Sequence, residues 1–148
     1  MSGVVDPDNL QRFVDAQRHV YPEVLAELRA GHKTGHWIWF IFPQLRGLGR
    51  SATAEHYGIA SPAQARAYLQ HPVLGPRLRE CCGLLVDVAD RSIEAIVGWP
   101  DCLKVRSCVT LFIATCESAD DEAVFQAVLD KYYDGQPDET TLRLLTRE

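Results

Sequence analysis

The stretch from Pro100 to Cys116 sets the tightest limit on how this chain can fold. Cys102, Val105, Val109, Phe112, Ile113 and Cys116 recur at helical spacing, while Leu103, Cys108 and Leu111 lie elsewhere around the same helix. A helix that is apolar on several sides needs neighbours on several sides, so it runs through the middle of a fold. The flanking sequence supplies amphipathic helices to surround it. Leu10, Phe13 and Val14 follow Asp6-Pro7, where Asp caps a helix and Pro takes its first position. Tyr21, Val24, Leu25 and Leu28 repeat at i, i+3, i+4 and i+7 and end at Gly31, a left-handed C-terminal cap.

Ser61-Pro62-Ala63-Gln64 is a capping box that opens a helix carrying Ala65, Tyr68 and Leu69 on one face. It stops before His71-Pro72, because the residue preceding proline is pushed out of the helical region. Leu74, Leu78, Cys81, Cys82, Leu85 and Ala89 mark the next helix, and Ser92 caps a short one ending at Gly98. Ser118, with Asp121 three residues on, caps a helix carrying Phe125, Val128, Leu129 and Tyr132, and Gly135 ends it. A last helix starts at Asp138. The expectation is a mainly α, compact, single-domain bundle of about seven helices.

Between Gly31 and Gly58 the helical pattern fails. His36-Trp37-Ile38-Trp39-Phe40-Ile41-Phe42 is aromatic and β-branched, so residues 36–43 read as a buried irregular or short-strand segment. An apolar, non-periodic insert in a helical chain is where function is sought.

Composition narrows the partners. With 15 Lys+Arg against 20 Asp+Glu the formal charge is −5, which argues against nonspecific nucleic-acid binding. Nucleic-acid binding would need Arg46, Arg50, Arg77, Arg79 and Arg106 to gather on one face. The five cysteines are odd in number, lack a C-x-x-C pair and fall in apolar helical stretches, so they read as buried hydrophobes in a reducing cytosol. Met1–Asp8 has neither a cationic start nor an apolar core, so no signal peptide is expected. The longest apolar run, Trp37–Phe42, is far below the roughly 20 residues that span a bilayer. The expected location is the cytoplasm, and the expected partner is a small phosphorylated or nucleotide-like ligand.

Three groups of residues could carry chemistry. The first is Lys33, His36, Trp37 and Trp39, followed by Gly47, Gly49 and Arg50. Glycines at 47 and 49 let backbone N–H groups turn inward on an anion, Arg50 adds a bidentate donor, and the tryptophans offer stacking faces. A glycine turn beside an aromatic core cluster explains the same residues without a ligand. The second is Ser51, Glu55, His56 and Tyr57. If this segment is helical, Ser51 and Glu55 share a face, and the hydroxyl can orient a carboxylate for general acid–base work or for stabilising an oxocarbenium-like transition state. An N-terminal cap with a first-turn Glu is the plainer reading. His56 has no companions at zinc spacing, so no metal is expected, and no cofactor.

The third group is Trp99, Asp101 and Lys104 at the start of the central helix. A lysine drawn into an apolar helix must be paired, exposed or functional. Asp101, three residues earlier, is its natural ion-pair partner. His71 reads as a helix-end residue meeting the last carbonyls.

Lys33-x-x-His36-Trp37-x-Trp39-Phe40-Ile41-Phe42-Pro43-Gln44, Gly47-Leu48-Gly49-x-Ser51, Glu55-x-Tyr57, His71-Pro72-x-Leu74-Gly75 and Asp101-x-x-Lys104-x-x-Ser107 together resemble the domain-of-unknown-function eighteen-ten family over nearly the whole chain. That resemblance implies a mostly helical fold and no established activity. Ser51-x-Thr53-x-Glu55-His56-Tyr57 followed by Leu-Gly-x-Arg and Trp-x-x-x-x-Lys is similar to the YbiA-like NADAR group, whose members handle NAD and ADP-ribose derivatives and include N-glycosidases. It implies that Glu55, Trp99 and Lys104 match that group's acidic residue, tryptophan and lysine; the His36–Phe42 stretch has no counterpart there.

The functional expectation is a protein that binds or hydrolyses an ADP-ribose- or NAD-derived N-ribosyl phosphate ligand, as an N-glycosidase or ADP-ribosyl hydrolase would. Glu55, Lys104 and Asp101 would be catalytic. Lys33, His36, Trp37, Trp39, Gly47, Gly49, Arg50, Ser51, Tyr57 and Trp99 would hold the ligand. The competing expectation is a noncatalytic interaction or scaffold domain with a structural aromatic core.

Overall fold

The computed structural model describes residue 6 and residues 8–147. Among the described residues ten helices follow one another: α1 (Gln11–Gln17), α2 (Tyr21–Ala30), α3 (Ile38–Ile41), α4 (Ala52–His56), α5 (Pro62–Gln70), α6 (Leu74–Asp87), α7 (Ile93–Val97), α8 (Asp101–Thr115), α9 (Ala119–Tyr132) and α10 (Glu139–Thr146). As its pattern requires, α8 is central. It packs against α3, α5, α7, α9 and α10, and it buries Val105, Cys108, Val109, Leu111 and Phe112 completely.

The caps that the sequence announces close as expected. Ser61, Ser92, Ser118 and Asp138 each accept a backbone N–H from the third residue on, and Gly31 ends α2 at φ +70°. The reciprocal arm of the Ser61 box differs, since Gln64 Oε1 accepts from Ala60 rather than Ser61. α1 starts later than Asp6-Pro7 predicts. The Asp6 carboxylate reaches forward to the N–H groups of Leu10 and Gln11, at 2.8 and 2.9 Å, and Pro7 and Met1–Val5 lie outside the described residues.

Two corrections follow for the irregular segment. The count of about seven helices is low because α3 and α4, at four and five residues, are too short to show a period. Residues 36–43 also form no strand. They make the one-turn helix α3, in which Ile41 and Phe42 donate to Trp37 and Ile38. With no partner strand nearby, a helical turn is how this buried backbone satisfies its own polar groups. Among the described residues the sole β pairing is a single parallel bridge, Leu45 with Ile59, which ties the chain before α4 to the chain after it.

The cysteines behave as hydrophobes. Cys82 and Cys108 are fully buried, and burial pushes the Cys81 thiol up to about 12, so these sulfurs stay protonated and unreactive.

Candidate functional site

The loop from α2 to α3 is tied down by one carboxylate oxygen that the sequence did not mark. Glu27 Oε1 accepts the N–H groups of Thr34 (2.7 Å) and Gly35 (2.9 Å) and the indole N–H of Trp37 (3.0 Å). Lys33 adds a backbone bond to the Ile96 carbonyl at 2.7 Å. Thus held, Lys33 delivers its ammonium to Asp101 Oδ2 at 2.9 Å, while Lys104 meets Oδ1 of the same carboxylate at 3.3 Å. The side chains are 8% (Lys33), 17% (Asp101) and 22% (Lys104) exposed, so two cations flank one anion where water is scarce. Trp37 lies beneath Lys33, 5.2 Å from ring centroid to Nζ, and Trp39 beneath Lys104 at 4.7 Å. Aromatic faces stabilise partly desolvated ammonium groups in such positions.

Glu27 gives this arrangement a pH limit. Burial alone would raise its carboxyl, but the N–H donors from Gly35, Thr34 and Trp37 outweigh burial and hold it below the usual value. A lowered folded pKa contributes stability that is complete above the unfolded value near 4.5 and is lost as pH falls through the folded one. Acid titration of tryptophan fluorescence should therefore show loosening of this loop below about pH 4.5. Glu27→Gln, which keeps an accepting oxygen, should flatten that limb while folding normally at pH 7. An unchanged acid limb would disprove the assignment.

Lys104 forms part of the wall of a cleft of about 290 Å3, with Gln44, Leu48, Gly49, Leu103, Ser107 and Thr140 among its lining residues. Asp138 borders it too, with its carboxylate turned onto Thr141 at the start of α10. Pro100 also lines this cleft, and Trp99, joined to it by a cis peptide bond, is 68% exposed. A neighbouring cleft of about 490 Å3 is lined by Arg46, Gly47, Gly49, Ala52, Glu55 and His56. Gly49 lines both.

The sequence-predicted residues thus divide. Lys33, Trp37, Trp39, Asp101 and Lys104 form one cluster. Gly47, Gly49 and Glu55 line the second cleft, which lacks Lys104. Ser51 does not orient Glu55: its hydroxyl accepts the Ala54 N–H as an N-cap, and Glu55 is exposed. Trp37 is buried with its indole N–H committed to Glu27 and its ring against Lys33, so it has no face open to a ligand. Tyr57 packs among Phe13, Phe40 and His56, with ring centroids 5.8, 5.5 and 4.6 Å away. His36 and Arg50 are exposed.

Gly47, at φ +106°, needs its glycine for conformation. Gly49 needs it for space, because a Cβ there would lie 2.5 Å from that of Ala54.

Four of the five arginines are engaged within the chain, with Arg46 donating to the Gly58 carbonyl. Arg79 pairs with Asp121, Arg77 stacks on Tyr21, and Arg106 binds the Gln136 carbonyl. Among the described residues no three His, Cys, Asp or Glu side chains gather as metal ligands, and no helix is long and apolar enough to cross a membrane.

The fold and clefts define an all-α protein in which the central helix and the α2–α3 loop together form a lysine–carboxylate–lysine cluster beside a cleft. The chain belongs to the family described as "Protein of unknown function (DUF1810)", matched over residues 7–145. It is similar to the conserved hypothetical protein Rv1873 from Mycobacterium tuberculosis, with 55% sequence identity and a TM-score of 0.92; the match covers 95% of this chain and 99% of that one. Among curated proteins no match is found.

Proposed function

We propose that the protein binds an ADP-ribose- or NAD-derived N-ribosyl phosphate ligand and hydrolyses its N-glycosidic bond. One observation carries the reading: Lys33 and Lys104 share the single carboxylate of Asp101, two ammonium groups to one anion, and Lys104 stands at the wall of a cleft that Asp138 also borders. A phosphate oxygen gives Lys104 an anion of its own, and low local dielectric strengthens that contact. Trp39 beneath Lys104 and the exposed Trp99, next to Pro100 of the cleft wall, are the aromatic faces a base would use.

In the adjoining cleft Glu55 takes a proton from water whose oxygen bonds to the anomeric carbon. The C–N bond breaks with its electron pair going to the base nitrogen, which is protonated from solvent. The assignment takes its residues from the motif resemblance to the NADAR group at Glu55-His56-Tyr57 and Trp99 to Lys104.

Calorimetric titration with ADP-ribose, NAD and ribose 5-phosphate tests it. Binding is expected with at least one of them, weakened about tenfold or more by Lys104→Ala, as for loss of a charge-assisted contact. Released base should be lost in Glu55→Ala. No heat with any of the three ligands, together with no effect of Glu55→Ala on any hydrolysis, would end the proposal. The exposed Trp99, with Leu103 one turn on, favours the second reading, a protein-interaction surface. Trp99→Ala tests the part of the indole: weaker ligand binding assigns it to the ligand, and unchanged binding removes it from the ligand site.

A further inference from the structure

At the far end of α8 from the lysine cluster lies a groove of about 490 Å3 that the proposed hydrolysis does not use. It gathers the end of α5, the start of α6 and the loop between α8 and α9, and so contains His71-Pro72 from the family-like motif. Gly75 keeps it tight, because α6 approaches α5 so closely that a Cβ at 75 would lie 2.1 Å from the Leu69 carbonyl oxygen. Leu69, Pro72, Pro76 and Cys116 give the groove an apolar part. Cys116 offers no nucleophile there, since burial and then the carboxylates of Glu122 and Asp121 keep its thiol protonated.

Of the charged side chains that line this groove all but one have a partner, and the Glu122 carboxylate beside Cys116 adds a negative charge at its edge. Asp121 holds Arg79 through two contacts, Nε to Oδ1 at 2.6 Å and Nη2 to Oδ2 at 3.1 Å. Glu117 accepts from Gln70 at 3.3 Å. Asp6 is bound to the N–H groups of Leu10 and Gln11. Arg66 is half-buried in the groove and makes no ion pair or hydrogen bond among the described residues.

His71 is not placed as the sequence implied. Instead of meeting carbonyls, its Nδ1 accepts the N–H groups of Val73 (3.1 Å) and Leu74 (3.3 Å). An accepting Nδ1 puts the ring proton on Nε2, a second donor bordering the groove.

We propose that this groove is a second ligand site, one that takes a small carboxylic acid bearing a short apolar group. The Arg66 guanidinium accepts the carboxylate in fork geometry, the His71 Nε2–H supplements it, and the apolar group lies against Leu69, Pro72 and Pro76. A cleft of this volume suits a ligand of amino-acid size.

Amide chemical-shift mapping of the full chain tests the site, with N-acetyl-L-leucine, its uncharged carboxamide and inorganic phosphate as probes. N-acetyl-L-leucine should move the amides of Gln70, His71, Val73 and Cys116–Ser118. The carboxamide should bind at least tenfold more weakly. Arg66→Ala should weaken binding at least fivefold, and Arg66→Lys should restore part of the loss. Lys104→Ala should change nothing, which separates this site from the other cleft.

Absence of those shifts, equal binding of acid and carboxamide, or an Arg66→Ala protein that binds as before would overturn the proposal. Phosphate binding as tightly as N-acetyl-L-leucine would overturn it too, by leaving the apolar wall without a role.

Discussion

Gly75→Ala is expected to be the most damaging single-methyl change in this protein. The new Cβ would sit 2.1 Å from the Leu69 carbonyl oxygen and 2.9 Å from its carbon, both backbone atoms that cannot rotate away. α5 and α6 would have to separate, and the bond from Arg79 Nη2 to the Leu69 oxygen, now 3.0 Å, would stretch with them. Overpacking of a close helix contact costs about 1–3 kcal/mol and more where backbone must move. At about 3 kcal/mol, a chain of this size loses roughly 6–12 °C of Tm.

Gly83 lies in the same helix, and a methyl group added there would meet nothing within 4 Å, so Gly83→Ala should stabilise by about 0.5–1 kcal/mol. Thermal melts of the two variants check both signs. Equal melting temperatures would refute the close approach of α5 and α6.

Asp101→Ala is expected to have the next largest effect. It strands Lys33, 8% exposed, and Lys104, 22% exposed, as neighbouring cations with no counter-charge. Removing one member of a fully buried pair costs about 3–5 kcal/mol. Partial solvent access lowers that figure, and we expect about 2–3 kcal/mol. The sign of the second substitution is diagnostic: Lys33→Met in the Asp101→Ala background should recover part of the loss, because it removes the stranded ammonium and leaves an apolar chain against Trp37. A double-mutant cycle on urea midpoints measures this coupling. Additive effects would mean that the pair contributes nothing.

Much of the scaffold was legible because its signals are local. A serine three residues before a backbone N–H needs no tertiary information to cap a helix, and the all-round apolar pattern of Pro100–Cys116 admits only a central place. The aromatic segment was misread as a possible strand because β-branched and aromatic residues favour either state once buried. Whether a partner strand exists is a long-range fact.

The Asp101–Lys104 pair was visible as an i, i+3 spacing. Its other half was not, because Lys33 lies far from Asp101 along the chain and reaches it only after Glu27 has fixed the loop that carries it. Likewise, Glu55 and Lys104 share a family-like motif order, yet they open onto different clefts.

The sequence by itself determined that the chain is helical, where most helices begin and end, and which helix lies at the centre. These follow from hydrogen-bond capping and side-chain periodicity, which act over a few residues. Only the tertiary structure decided which charges meet, that Trp37 is sealed beneath Lys33 while Trp99 faces water, and that Arg66 is left without a partner among the described residues. Those outcomes depend on burial and on distances between segments far apart in sequence, and burial sets how strongly each charge is felt.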